Sequence, residues 1–199
     1  TNGRAILPTP TIGGVGVLDD FQASVAIAPK SEGEHVFLVG ATKGWLGQSV
    51  YLRDVCGREE GAPPPVDLTA ERRHGEFVRG LIGRGLLTAC HDLSDGGLLV
   101  GLAEMCMASG MGLTVEALSH DLPAHAFWFG EDQGRYVITV RGGDVDALAT
   151  EAAGAGVELT RLGVTGGPAL TVPDEEPILV KDLKEAFESW LPAYMARAA

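Results

Sequence analysis

Three short stretches of this chain combine residue types that can hold a ligand. The first, Pro8-Thr9-Pro10-Thr11-Ile12-Gly13-Gly14-Val15-Gly16, stiffens the backbone with two prolines and permits close approach of a ligand or a strand at three glycines. The second, His91-Asp92-Leu93-Ser94-Asp95-Gly96-Gly97, falls between an apolar run and a helical pattern, where α/β proteins place ligands. There Ser94 is a candidate N-cap, the amides around Gly96 can meet a phosphate or a carboxylate, and Asp92 can hold Mg²⁺ together with phosphate oxygens. The third, Phe129-Gly130-Glu131-Asp132-Gln133-Gly134-Arg135-Tyr136, sets polar acceptors beside a guanidinium. Glu131 can receive a substrate hydroxyl or a metal, Gln133 is a further polar group, and Arg135 can pair with a phosphate or with its acidic neighbours.

Each stretch also has a purely structural reading. The first can be a tight turn between domains, the second a capped and closely packed helix start, the third an ion pair that orders its own loop. Glycine in a helical turn is unfavourable by up to about 1 kcal/mol relative to alanine, which gives weight to a function at Gly96-Gly97. The residues alone leave both readings open. Asp92, Ser94, Gly96, Glu131 and Gln133 are the candidate ligand-binding positions, and no catalytic residue or metal ligand is assigned.

Other chemistries find little support. Lys43 is no P-loop lysine, because GxxxxGK[ST] is absent. His35, His74, His120 and His125 lack HxH or HExxH spacing. Cys90 precedes His91, but neighbours in a strand point to opposite faces, so a Cys-His dyad is not expected. Three cysteines without CxxC spacing suggest neither a zinc site nor a disulfide framework. A formal charge of -12 opposes binding to a nucleic acid polymer, whereas a small phosphorylated ligand can be held by a few amides. No apolar run reaches the roughly 18 residues of a membrane span, and no signal-peptide pattern opens the chain, so a cytoplasmic protein is expected.

The elements that must position these stretches follow from periodicity. Ile12 to Leu18 alternates imperfectly as a strand, Phe21 to Ala28 resembles a second short strand or turn, and Pro29 to Glu34 reads as a linker, giving a domain boundary near residue 30. Strands are expected at Val36 to Val39, Leu86 to Cys90, Gly112 to Val115, Tyr136 to Val140 and Val157 to Val164. Gly47 to Val55 can form a short helix. Asp67 caps a second, an apolar third runs through Ser109, and Asp144 caps an alanine-rich fourth ending at Gly154 or Gly156. Gly166-Gly167 looks like a hairpin turn with Ala169 to Val172 as its second arm. A last helix puts Leu183, Ala186, Phe187, Trp190, Leu191 and Tyr194 on one stripe, with Pro192 near its fraying end. The expected class is α/β (α+β), a mixed sheet flanked by helices.

Taken in order, TNGRAILPTPTIGGVGVLDD, GATKGWLGQSVYLRDVCG, HDLSDGGLLVGLAEM and FGEDQGRYVITV resemble the C-terminal part of the phosphoribosylformylglycinamidine synthase family, small bacterial form. The similarity covers nearly the whole chain, and PTPTIGGVG sets it apart from the wider aminoimidazole ribonucleotide synthetase superfamily. The resemblance implies residues 1–30 as a remnant of a preceding N-type domain and 31–199 as a C-terminal synthetase-type domain, cut from a longer chain. It implies ATP-dependent conversion of formylglycinamide ribonucleotide and glutamine-derived ammonia to formylglycinamidine ribonucleotide, ADP and phosphate, with Mg²⁺ on the nucleotide. The implied partners are the remaining domains of the same synthase, a glutaminase and small accessory subunits.

In that family the catalytic histidine and the main magnesium carboxylates belong to the first half of the enzyme, so the isolated chain is expected to be inactive. Glu131-Asp132-Gln133 corresponds to the pseudosymmetric counterpart of the family's substrate-contacting Glu-Ser-Gln. The alternatives are a non-catalytic structural or auxiliary nucleotide-binding module, and another ATP-dependent superfamily member such as a selenophosphate or thiamine-phosphate kinase relative.

Overall fold

The computed structural model describes residues 11–197, so Pro8-Thr9-Pro10 lie outside the described residues. Strands β1 (His35–Val39), β2 (Leu87–Asp92), β3 (Leu113–Val115), β4 (Tyr136–Val140), β5 (Leu159–Thr165), β6 (Ala169–Thr171) and β7 (Ile178–Leu179) form one mixed sheet in the order β2-β4-β1-β5-β3-β6-β7. Helices α1 (Leu68–Gly83), α2 (Gly97–Ser109), α3 (Ala124–Phe129), α4 (Val145–Ala155) and α5 (Val180–Arg197) flank it.

The unbroken apolar run of β1 is explained by its central place. Val36 and Leu38 pack on one face with Leu98, Leu102 and Met105 of α2. Phe37 and Val39 pack on the other with Val78 and Leu81 of α1 and Leu148 of α4. A strand buried on both faces needs apolar residues at every position rather than at alternate ones. Helix α1 starts where expected: the Asp67 carboxylate accepts the amides of Thr69 and Ala70, and the Ala70 amide first among these holds that carboxyl below its ordinary range.

Several local expectations are corrected. Residues Ile12 to Leu18 form no strand and are exposed throughout, with Val15 fully so; among the described residues they have no ladder partner. The short helix expected within Gly47 to Val55 is a single π-helical turn over Tyr51–Val55. The Asp144 side chain makes no capping hydrogen bond, although its helix starts and ends as expected, with Gly156 at φ 62° as C-cap. Helix α5 continues through Pro192.

Gly166-Gly167 does not join a hairpin. Strand β3 lies between β5 and β6, antiparallel to the first and parallel to the second, with Leu113 opposite both Thr165 and Leu170. The glycines do reverse the chain, but they also carry it past β3, with the Gly112 amide donating to the Gly167 carbonyl at 2.7 Å. A turn motif specifies reversal; a distant strand decides adjacency.

The cysteines provide a solution check on this packing. Burial pushes the Cys106 thiol up to about 12, and burial, aided by the Asp92 charge, does the same to Cys90, whereas Cys56 is exposed. Only the thiolate reacts with a disulfide reagent. With Ellman's reagent near neutral pH, one thiol per chain is expected to react promptly and two more only on addition of denaturant. Prompt release of three would contradict the half-buried position of Cys90 on β2 and the buried one of Cys106 on α2.

Candidate functional site

The second and third stretches meet a loop that runs from Gly40 to Val50 after β1, and the contacts among them are made by carboxylates to backbone amides. Asp132 is buried, and its Oδ2 accepts the amides of Lys43 and Gly44, both at 2.9 Å, while Oδ1 accepts that of Trp45 at 3.3 Å. Three successive N–H groups turned toward one centre make an anion nest, and Gly44 at φ 72° supplies the left-handed conformation that such a nest uses. Glu131 works across a longer span. Its Oε1 accepts the amides of Val50 and Gly96, each at 2.8 Å, joining the end of that loop to the head of α2.

Arg135 lies beneath these contacts, 1% exposed. Its Nε donates to the Asp132 carbonyl at 3.1 Å, Nη2 to the Gly130 carbonyl at 2.6 Å and Nη1 to the Thr42 hydroxyl at 3.1 Å. The guanidinium stands 4.0 Å from the Asp132 carboxylate. Burial lowers its pKa from the usual arginine value, with Asp132 opposing the shift.

The bend before α2 differs from the expected capped start. Ser94 is exposed and its carbonyl accepts the Gly97 amide, while the N-cap is Gly96, which offers no side-chain cap. The reason is conformational. Gly96 and Gly97 have φ of 81° and 72°, so the chain makes a left-handed turn before helical geometry begins. A Cβ on Gly97 would stand 2.5 Å from the Gly130 carbonyl oxygen, so α2 begins in direct contact with the third stretch. Glu131 then supplies from another segment the acceptor that Ser94 does not.

The five candidate positions therefore fall into two groups. Gly96 and Glu131 are bonded to each other. Asp92 closes β2 with its side chain 75% exposed, and Ser94 and Gln133 are also exposed; the Gln133 amide donates to the Glu131 carbonyl at 3.3 Å. The backbone links the regions through Leu93, whose amide donates to the Arg135 carbonyl at 3.0 Å, and through Asp92, which registers with Tyr136. Residues Ile12 to Gly16 of the first stretch are exposed and make none of these contacts.

Sequence reasoning left two features out. Asp132 was not among the candidates, although it holds the 43–45 loop, because a loop carboxylate gives no sign of which distant amides it will meet. His91 places Nε2 2.8 Å from Oε2 of Glu104 on α2, while Cys90 packs with the cluster on the opposite face of the sheet, as strand alternation requires. Among the described residues no group of three or more His, Cys, Asp or Glu side chains is arranged to hold a metal ion.

Residues 31–174 match the family model described as AIR synthase related protein, C-terminal domain. Over all 199 residues the chain is 61% identical to phosphoribosylformylglycinamidine synthase subunit PurL of Bradyrhizobium sp. (strain BTAi1 / ATCC BAA-1182), covering 27% of that protein. Over 196 residues it is 58% identical to the subunit of the same name from Nitrobacter hamburgensis, covering 26% of it. It thus spans about a quarter of the length of these relatives. T. maritima PurL complexed with FGAR matches with a TM-score of 0.67 at 16% identity, over 82% of this chain and 30% of that one. At that identity the likeness concerns the fold.

Proposed function

This chain belongs to the family of AIR synthase related proteins, as their C-terminal domain, and on that premise we propose that it forms the C-terminal part of a phosphoribosylformylglycinamidine synthase of the PurL type. The observation that carries the reading is 61% identity to such a subunit across the full 199 residues. In this reading the complete protein uses ATP to activate the amide oxygen of formylglycinamide ribonucleotide, and ammonia derived from glutamine then displaces the phosphate. Residues 1–30 belong to the preceding N-type domain and 31–199 to the C-terminal one. The protein works in the cytoplasm with a glutaminase and small accessory subunits.

Among the described residues the donors do not make a magnesium site. Glu131 Oε1 and both Asp132 oxygens are taken up by backbone amides, and Asp92 is a single exposed carboxylate. The nucleotide's metal therefore falls to other parts of the longer protein. The role of this chain is to close and shape a cleft. Asp92, Ser94 and Gln133 are the positions that touch a ligand, while Gly96 and Glu131 hold the bend behind them.

Two exposed apolar surfaces support assembly with further domains. Ile12, Val15, Val17 and Phe21 lie open, as do Phe187, Trp190, Leu191 and Tyr194 along the outer stripe of α5, which packs on the core through Leu183. Exposed apolar area on this scale marks an interaction surface.

The test is a replacement. The Bradyrhizobium subunit carrying this chain in place of its matching segment is expected to form the amidine product from ribonucleotide, ATP and ammonia, and the chain alone to form none. Titration calorimetry on the same replaced protein is expected to show ribonucleotide binding weakened in Asp92→Ala. A stably folded replacement without synthase activity would refute the assignment.

A further inference from the structure

We infer that Glu131 and Asp132 are internal ligands: adjacent carboxylates of one loop that fill two backbone anion holes and so keep a phosphate out of the head of α2. The observation is a pairing of acceptors with amides that have no other explanation nearby. Helix α2 is a 13-residue helix whose N-cap, Gly96, carries no capping side chain, yet the Gly96 amide is satisfied at 2.8 Å by Glu131, 35 residues away. The same oxygen takes the Val50 amide at 2.8 Å. One residue along, Asp132 sits in the Lys43–Trp45 nest.

Both holes have the form that binds free anions. A helix head offers unpaired amides and the positive end of its dipole, and a nest offers convergent N–H groups. Here each already holds an anion of the chain's own. A phosphate at Gly96 would have to displace Glu131 and would meet Asp132 at the next residue, so like-charge repulsion opposes it as well. Arg135, 4.0 Å from the Asp132 carboxylate, is turned inward to carbonyls and to Thr42. The consequence is mechanical. The 43–50 loop, the 94–97 bend and the 130–135 loop are tied at two points and move as one body.

This holds for the chain whatever reaction the complete protein performs, and its test is independent of synthase activity. Amide exchange by NMR on the full chain is expected to show Val50 and Gly96 accelerating together, at least tenfold, in Glu131→Ala, with Lys43, Gly44 and Trp45 unchanged. Asp132→Ala is expected to do the reverse. Sodium formate, compared with sodium chloride at equal ionic strength, is expected to restore at least half of the melting temperature lost in Glu131→Ala and to leave the wild type unmoved.

Should Glu131→Ala fail to fold, Glu131→Gln keeps the shape and one acceptor oxygen, and its Gly96 amide is expected to exchange faster than wild type without any response to formate. Inorganic phosphate is the opposing probe. Saturable shifts of the wild-type Gly96 and Gly97 amides on phosphate titration would overturn the inference, as would independent exchange of Val50 and Gly96 in Glu131→Ala.

Discussion

Arg135→Met is expected to destabilise this protein by about 3–5 kcal/mol, the range found when one partner of a buried charged pair is removed. Against a total of roughly 5–15 kcal/mol for a folded domain, that is a large share of the stability. The magnitude follows from what the methionine leaves behind. The carbonyls of Gly130 and Asp132 lose charge-assisted donors, the Thr42 hydroxyl loses a third, and the Asp132 carboxylate remains buried without the cation 4.0 Å away.

Chemical denaturation read by circular dichroism measures the loss. Arg135→Lys is expected to recover less than half of it, since one ammonium cannot reach three acceptors that a planar fork reaches at once. A midpoint for Arg135→Met close to wild type would show that this guanidinium is not the support of the loop.

Gly97→Ala is expected to cost about 3 kcal/mol or more, by combining left-handed backbone strain with a close contact. The alanine Cβ would stand 2.5 Å from the Gly130 oxygen and 2.8 Å from the Phe129 carbonyl carbon, both backbone atoms that can yield only if the third stretch moves. Gly110, the C-cap of the same helix, provides the control. It has the same φ of 72° but open space around its missing Cβ, so Gly110→Ala should show the strain alone, about 1–2 kcal/mol. The difference between the two midpoints measures the close approach of α2 to the 130–135 loop. Equal losses at the two sites would mean that the contact carries no energy.

These substitutions act on the parts that were hardest to read. Elements were legible where information is local. The apolar run at β1, the Asp67 cap of α1, the all-round apolar α2 and the strand at Tyr136 to Val140 each announce themselves within a few residues, because backbone hydrogen bonding and side-chain periodicity act over that range. The motifs that resemble the synthase family were equally local, and residues 31–174 match the AIR synthase related protein, C-terminal domain.

Tertiary structure alone decided partners across the chain. It slid β3 between β5 and β6 where two glycines suggested a hairpin. It moved the start of α2 past Ser94 and gave its head to Glu131. It turned Arg135 away from solvent into a core of carbonyls, so that the third stretch organises its own loops. It also left the α5 stripe, regular in period, uncovered beyond Leu183 among the described residues. The physical reason is shared by all four. A side chain's chemistry fixes what kind of partner it needs, but which amide, carbonyl or apolar face satisfies that need depends on segments dozens of residues away, brought near only when the sheet has formed.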